Sequence, residues 1–310
     1  ISFIIVLTAM VGNTYSADYP SKPITLQVPS PAGGGTDVGA RFLAFYAEKK
    51  MGQPIVVINR PGANQQVGWT ELASQKPDGY YIGFATCPSM NTIILDPDRK
   101  AVFNLDSFVP IINQVVDPGV VWVKAESPYK TLKDFLDDAK RRPGTIKTGA
   151  TGTFSDDHLA ILKLEEVAGI KVRTVQFNGF ADALTATLGG HVDISFNNVG
   201  EVVPRLKSGE VRVLAVMDPQ RSKFMPDVPT MEEGGFPGFT SGVWAGVVVR
   251  NGTPAAAVKT LNRSINTVTS DVDYKKQMSD LGINLVGGTP EQLTSYIANE
   301  RKIWTPVIQK

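Results

Sequence analysis

The residues best suited to chemistry stand in two glycine- and hydroxyl-rich stretches. The first is Pro29-Ser30-Pro31-Ala32-Gly33-Gly34-Gly35-Thr36-Asp37, between an apolar run at 24–28 and an amphipathic run at 36–50. Three consecutive glycines remove every side chain that would keep a small molecule from the backbone. Their N–H groups, with the free donors of the following helix's first turn, make an anion site that needs no basic side chain. The second stretch is Thr148-Gly-Ala-Thr-Gly-Thr-Phe-Ser-Asp-Asp-His158. Here Ser155 is placed to cap a helix, with Thr151, Gly152, Thr153 and His158 around the helix start. Asn197-Asn198 closes another strand and offers a polar partner, although Asn178 and Asn197 serve equally well as turn or cap residues.

Segments 29–37, 86–91, 148–158, 177–182 and 196–201 contain no lysine or arginine. Neutralising an anion there falls to backbone dipoles and hydroxyls. Arg41 lies more than one turn into its helix and reads as structural. Cys87 is the sole cysteine and the chain has two histidines, so a cysteine nucleophile lacks an evident base. Neighbours Asp156, Asp157 and His158 point apart on a helix and read as a charged first turn, not a metal set. His191 and Asp193 close a turn before a strand. No cofactor or metal is expected.

These loops need strands and helices to hold them. Strands are expected at 24–28, 55–58, 80–86, 120–124, 146–148, 172–177, 192–196, 211–217 and 243–249. Helices are expected at 36–50, 65–75, 131–140, 155–168, 181–188 and 199–207, then near 254–270, 272–281 and 290–308. The helix at 131–140 opens on a Thr-x-x-Asp signature. Segment 218–240, rich in Pro and Gly, reads as an irregular connection. Alternating strands and helices argue parallel sheets with right-handed crossovers. At 310 residues the chain suits two α/β lobes rather than one core. If Val120–Lys124 and Val243–Val249 pair as antiparallel crossovers, the first lobe is discontinuous. It comprises 18–120 plus 241–310, the second lobe comprises 121–240, and a cleft lies between them. Ligands in open α/β sheets sit outside the carboxyl ends of the strands, where the glycine loop falls.

Lysine plus arginine (31) nearly balance aspartate plus glutamate (30), which excludes the electrostatic footprint of a nucleic-acid binder. Ile1–Val11 is almost wholly apolar and runs into small residues. That pattern reads as a signal peptide over 1–17, cut after Ser16 or Ala17 and lacking its basic start. The mature protein is then exported and soluble.

Tyr19-Pro-Ser-Lys-Pro-Ile24 leading into Val28-Pro-Ser-Pro-Ala-Gly-Gly-Gly-Thr-Asp37 resembles the opening of the Bug-type receptors of tripartite tricarboxylate transporters. Segments 51–63, 76–81, 189–193 and 227–235 are similar to that family as well, in the same order. The resemblance implies a two-lobed Venus-flytrap fold of periplasmic-binding-protein type II. It implies a periplasmic monomer that captures a small organic carboxylate and hands it to membrane subunits, with no chemistry of its own. The acid is left open between di- or tricarboxylate, acidic amino acid and aromatic acid. In that family the loop matching Ser30, Ala32, Gly33, Gly34, Gly35 and Thr36 grips a carboxylate through backbone groups and water. Cys87 and Ser89 match another pocket segment by position, but Cys-Pro departs from the pattern. Phe177-Asn178 stands where many relatives carry Tyr-Lys. One alternative is an α/β enzyme using the glycine loop as an oxyanion or phosphate site, although no Gly-x-Ser-x-Gly accompanies it. Another is a regulator's effector domain, which would need a DNA-binding segment in place of the export signal.

Overall fold

A computed structural model describes residues 19–308; the apolar segment at 1–11 and the expected cleavage point lie outside the described residues. Each strand–helix repeat buries its apolar positions against a sheet covered on both faces. In the first sheet, β1 (Ile24–Val28) lies parallel to β2 (Ile55–Asn59) and β3 (Tyr81–Cys87). β9 (Gly242–Arg250) runs antiparallel to β3. β4 (Phe108–Lys124) spans both sheets. Its first part, Phe108–Pro118, pairs with β9, and its last residues pair antiparallel with β7 (Ile194–Asn198) and β8 (Val211–Val216). β5 (Lys147–Ala150) lies parallel to β6 (Arg173–Gln176) and β7.

Val120–Lys124 therefore does not pair with Val243–Val249, as the sequence reading expected. The partner of β9 is the preceding segment, which the sequence hides with Pro110, Asp117 and Pro118. The strand accommodates this composition through irregularities between Pro110 and Ile112 and between Asn113 and Val115. A further helix, α3 (Ser89–Leu95), follows β3 where a loop was read. Its Met90 and Ile93 are buried against Trp69 and Leu293.

The helices cover the sheets as their periodicity requires. α1 (Gly35–Met51) and α8 (Ala255–Thr269) pack Leu43, Ala47, Leu261 and Ile265 on one face of the first sheet. α2 (Gln66–Ser74) and α10 (Pro290–Ile308) close the other face through Trp69, Leu72, Leu293 and Ile297. On the second sheet, α4 (Leu132–Arg141) and α5 (Asp156–Ala168) bury Phe135, Ile161 and Leu164. α6 (Phe180–Leu188) and α7 (Val199–Lys207) bury Leu184, Val202 and Val203 opposite them. Each such side chain contributes about 1.5–3 kcal/mol of hydrophobic stabilisation. α9 (Val272–Asp280) leads into the two-residue β10 (Asn284–Leu285) on the edge of β4. The end of α10 returns across the molecule, where Trp304 and Ile308 meet Leu159 of α5.

Local signals behave as chemistry dictates. Thr131 and Asp134 form a reciprocal capping box on α4. Segment 218–240 has neither helix nor strand. Among the described residues no helix is long and apolar enough to cross a membrane.

Candidate binding cleft

The β1–α1 and β5–α5 joins, both at carboxyl ends of strands, belong to different sheets, and the β2–α2 turn beside the first meets the second. Asn64, in the β2–α2 turn, donates from its side chain to the Thr153 carbonyl at 2.8 Å. A Cβ on Gly152, whose φ is +92°, would stand 2.6 Å from the Asn64 Oδ1. This contact joins the two sheets' loops. The contact rests on unusual backbone on both sides. Ala63, Asn64 and Gln65 all have positive φ (47°, 48° and 75°), and so does Phe154 (59°). Non-glycine residues rarely adopt this region, and such geometry gathers at ligand clamps. Phe154 is held by packing against the cluster of Leu159, Trp304 and Ile308.

The glycine loop is braced from below. Asp37, itself buried, accepts the Gly33 N–H at 2.9 Å, Arg41 Nε at 3.0 Å and Asn59 Nδ2 at 2.9 Å. Burial opposes ionisation, but Arg41, the Gly33 N–H and Asn59 outweigh it and hold the carboxyl below its usual range. Arg41 is structural, as expected, through this pair. Asn59 also donates to the Ser30 carbonyl at 3.0 Å, which ties the loop's entrance to β2. Ala32 and Gly33 are exposed, and Gly34, Gly35 and Thr36 are partly covered. The N-cap of α1 is Gly34, so no side chain caps the helix from its own sequence.

Across the cleft, Ser155 does cap α5, its hydroxyl accepting the His158 N–H at 3.3 Å. His158 Nδ1 accepts the Phe154 N–H at 3.0 Å, and burial holds the imidazole below its ordinary value. Thr151 donates both its N–H and its hydroxyl to Asp157. Asn197 is wholly buried; its Oδ1 accepts the Trp122 indole N–H at 2.9 Å and its amide faces Asp157 at 3.5 Å. The structure thus brings together the β1–α1 loop, Thr151–Ser155 and Asn197. Cys87 is fully buried beside Trp244, and burial pushes its thiol well up. Ser89 is buried at the start of α3, and Asn178 is exposed at the β6–α6 join.

The sequence reading missed the acidity of this region. Asp156 and Asp157 do stand in the first turn of α5, as read, but both are buried. Asn198 donates to Asp156 at 2.8 Å. Asp117 of β4 reaches α7 and accepts the Gly200 N–H at 3.1 Å on both oxygens, serving as the cap that Asn198 does not supply. Glu201, in the first turn of α7, is partly buried beside them. Burial drives the Asp117 carboxyl well above its usual value. Burial and then the neighbouring Asp156 charge do the same for Asp157, and they push Glu201 up to about 7. Among the described residues none of these four carboxylates is paired with a lysine or arginine. No group of His, Cys, Asp or Glu there has an arrangement that would hold a metal ion. Local sequence carries no signal for this cluster, because its members come from β4, α5 and α7.

The fold defines a class of protein: the two-domain α/β periplasmic-binding-protein fold. The chain belongs to the tripartite tricarboxylate transporter receptor family, whose model matches residues 39–310. It is 30% identical to protein BugT of Bordetella pertussis over 99% of this chain and 95% of that protein. A solved R. palustris protein with adipate superposes with a TM-score of 0.89 at 27% identity, covering 94% of this chain and 98% of that one. MatC from Rhodopseudomonas palustris with bound malate gives 0.87 at 27% identity, over 94% and 100% of the two chains. The family is one of solute-binding receptors.

Proposed function

We propose that the protein is an exported periplasmic receptor that captures a small organic carboxylate and delivers it to the membrane subunits of a tripartite transporter. The observation that carries this reading is the uncapped N-terminus of α1, presented by a bare glycine loop to the opposite lobe. Its N–H groups and helix dipole favour negative charge without any basic residue. Relatives solved with adipate and malate support the ligand class. In this reading the acid lies between Ser30–Thr36 and Thr151–Ser155, and Asn197 holds the floor of the second lobe. Residues 18–120 plus 241–310 and residues 121–240 close on it as two bodies. Binding energy shifts an open–closed equilibrium that the membrane subunits read. The chain works as a monomer, without catalysis, after removal of residues 1–17.

A thermal-shift screen over dicarboxylates, tricarboxylates, acidic amino acids and aromatic acids tests the proposal. An acid at about one hundred times its dissociation constant stabilises the protein by roughly 2.7 kcal/mol. Amide analogues should give no shift. A cation or neutral sugar as best ligand would refute the carboxylate reading.

A further inference from the structure

We infer that Glu201 is a tethered acid group seated against the N-terminus of α1, at the position an incoming acid would take. Any acid the receptor takes up must displace it; this second half rests on the carboxylate-receptor reading above. Glu201 belongs to α7 in the second lobe, yet its carboxyl group lies beside the Gly35 backbone of the first lobe. A Cβ on Gly35 would stand 3.3 Å from Glu201 Cγ and 3.4 Å from its Oε1, so the acid group lies directly against bare backbone. A helix of this length ordinarily takes its cap from Ser, Thr, Asp or Asn just before it. Here Gly34 holds that place and offers no side chain, and Glu201 faces the bare first turn from across the cleft.

The partners of Glu201 separate this contact from a structural ion pair. Its polar neighbours at the end of β7 are the Asn198 N–H and the Asn197 amide. The charged groups facing it are Asp156 and Asp157 of α5 and Asp117 of β4, all acidic. On α1 the nearest acid, Asp37, is already tied to Arg41 and Asn59. The Asp156 charge opposes ionisation of Glu201, and the Gly35 N–H beside it is a donor any carboxylate can use. A contact so opposed is readily exchanged for an incoming acid, whose arrival lets Glu201 leave the cluster. The Asn64–Thr153 bond joins the same two lobes nearby.

Scattering from the ligand-stripped mature chain tests the first half. The wild type should be compact and Glu201→Ala more extended. Glu201→Gln, whose amide oxygen still stands beside the Gly35 N–H, should be as compact as wild type. Glu201→Ser, too short to reach Gly35, replaces the alanine variant should that chain not fold. An alanine or serine variant as compact as wild type overturns the inference, and so does a Gln variant as open as they are. Calorimetry with malate and adipate tests the second half. Whichever acid the wild type takes up should bind the serine variant severalfold more tightly, since the internal competitor is gone; unchanged or weaker affinity overturns displacement. If the wild type binds no acid of the screen, the receptor reading fails, and the scattering comparison still decides the seat of Glu201.

Discussion

The buried acids of the cleft give the protein an inverted pH dependence that Glu201→Gln exposes. Burial and the Asp156 charge raise the Glu201 carboxyl from its ordinary value of 4.5 to about 7 in the folded chain. Between those values the folded protein holds a proton that the unfolded chain has released. Its contribution to stability is therefore present in full below the unfolded value and is lost as pH rises through 7. A shift of this size amounts to about 3 kcal/mol over the whole range, and from pH 6 to pH 8 it amounts to roughly 1 kcal/mol. Glutamine keeps the shape and the hydrogen-bond acceptor but has no charge to bury. The stability of Glu201→Gln relative to wild type should grow by roughly 1 kcal/mol between pH 6 and pH 8, a change of about 2–4 °C in the difference of melting temperatures. His158, which burial shifts downward, acts in the opposite direction as pH falls, but it does so in both proteins and cancels. Urea or thermal unfolding of ligand-stripped protein at pH 6, 7 and 8 measures the gap. Parallel wild-type and variant curves across this range would refute the argument that Glu201 is held protonated by its surroundings.

The cleft geometry makes further predictions. Gly35→Val places a branched side chain where 3.3 Å separates the built Cβ from Glu201 Cγ; it should weaken carboxylate binding at least about tenfold while circular dichroism stays native. Gly34, with φ of −80° and its nearest neighbour at 3.9 Å, should accept alanine with its fold and closure intact. Gly152→Ala is opposed both by φ of +92° and by the 2.6 Å approach to Asn64, so scattering should show loss of acid-induced compaction. Trp122→Phe removes the donor to Asn197 Oδ1 inside the second lobe and should cost about 1–3 kcal/mol in urea unfolding, by leaving a buried acceptor unmatched.

Local rules carried the sequence a long way. The Thr131 and Ser155 caps, the left-handed Gly52 and Gly169 that end α1 and α5, and the apolar spacing of each helix are decided within a few residues. The same holds for the glycine loop, since only bare backbone before a helix makes an anion site of that kind. The first half of β4 was hidden because Pro110, Asp117 and Pro118 argue against a strand until β9 supplies the pairing and the bulges absorb the prolines. Glu201 was illegible for a stronger reason. In the first turn of a helix an acid is what the macrodipole favours, and alone it reads as a solvated charge. Only the tertiary structure sets it against Gly35 of the other lobe and beside Asp117, Asp156 and Asp157, contacts between segments far apart in the chain. Hydrogen bonding and hydrophobic spacing act over a turn or two and can be read in order, but the field at a carboxylate depends on whatever folding brings near it.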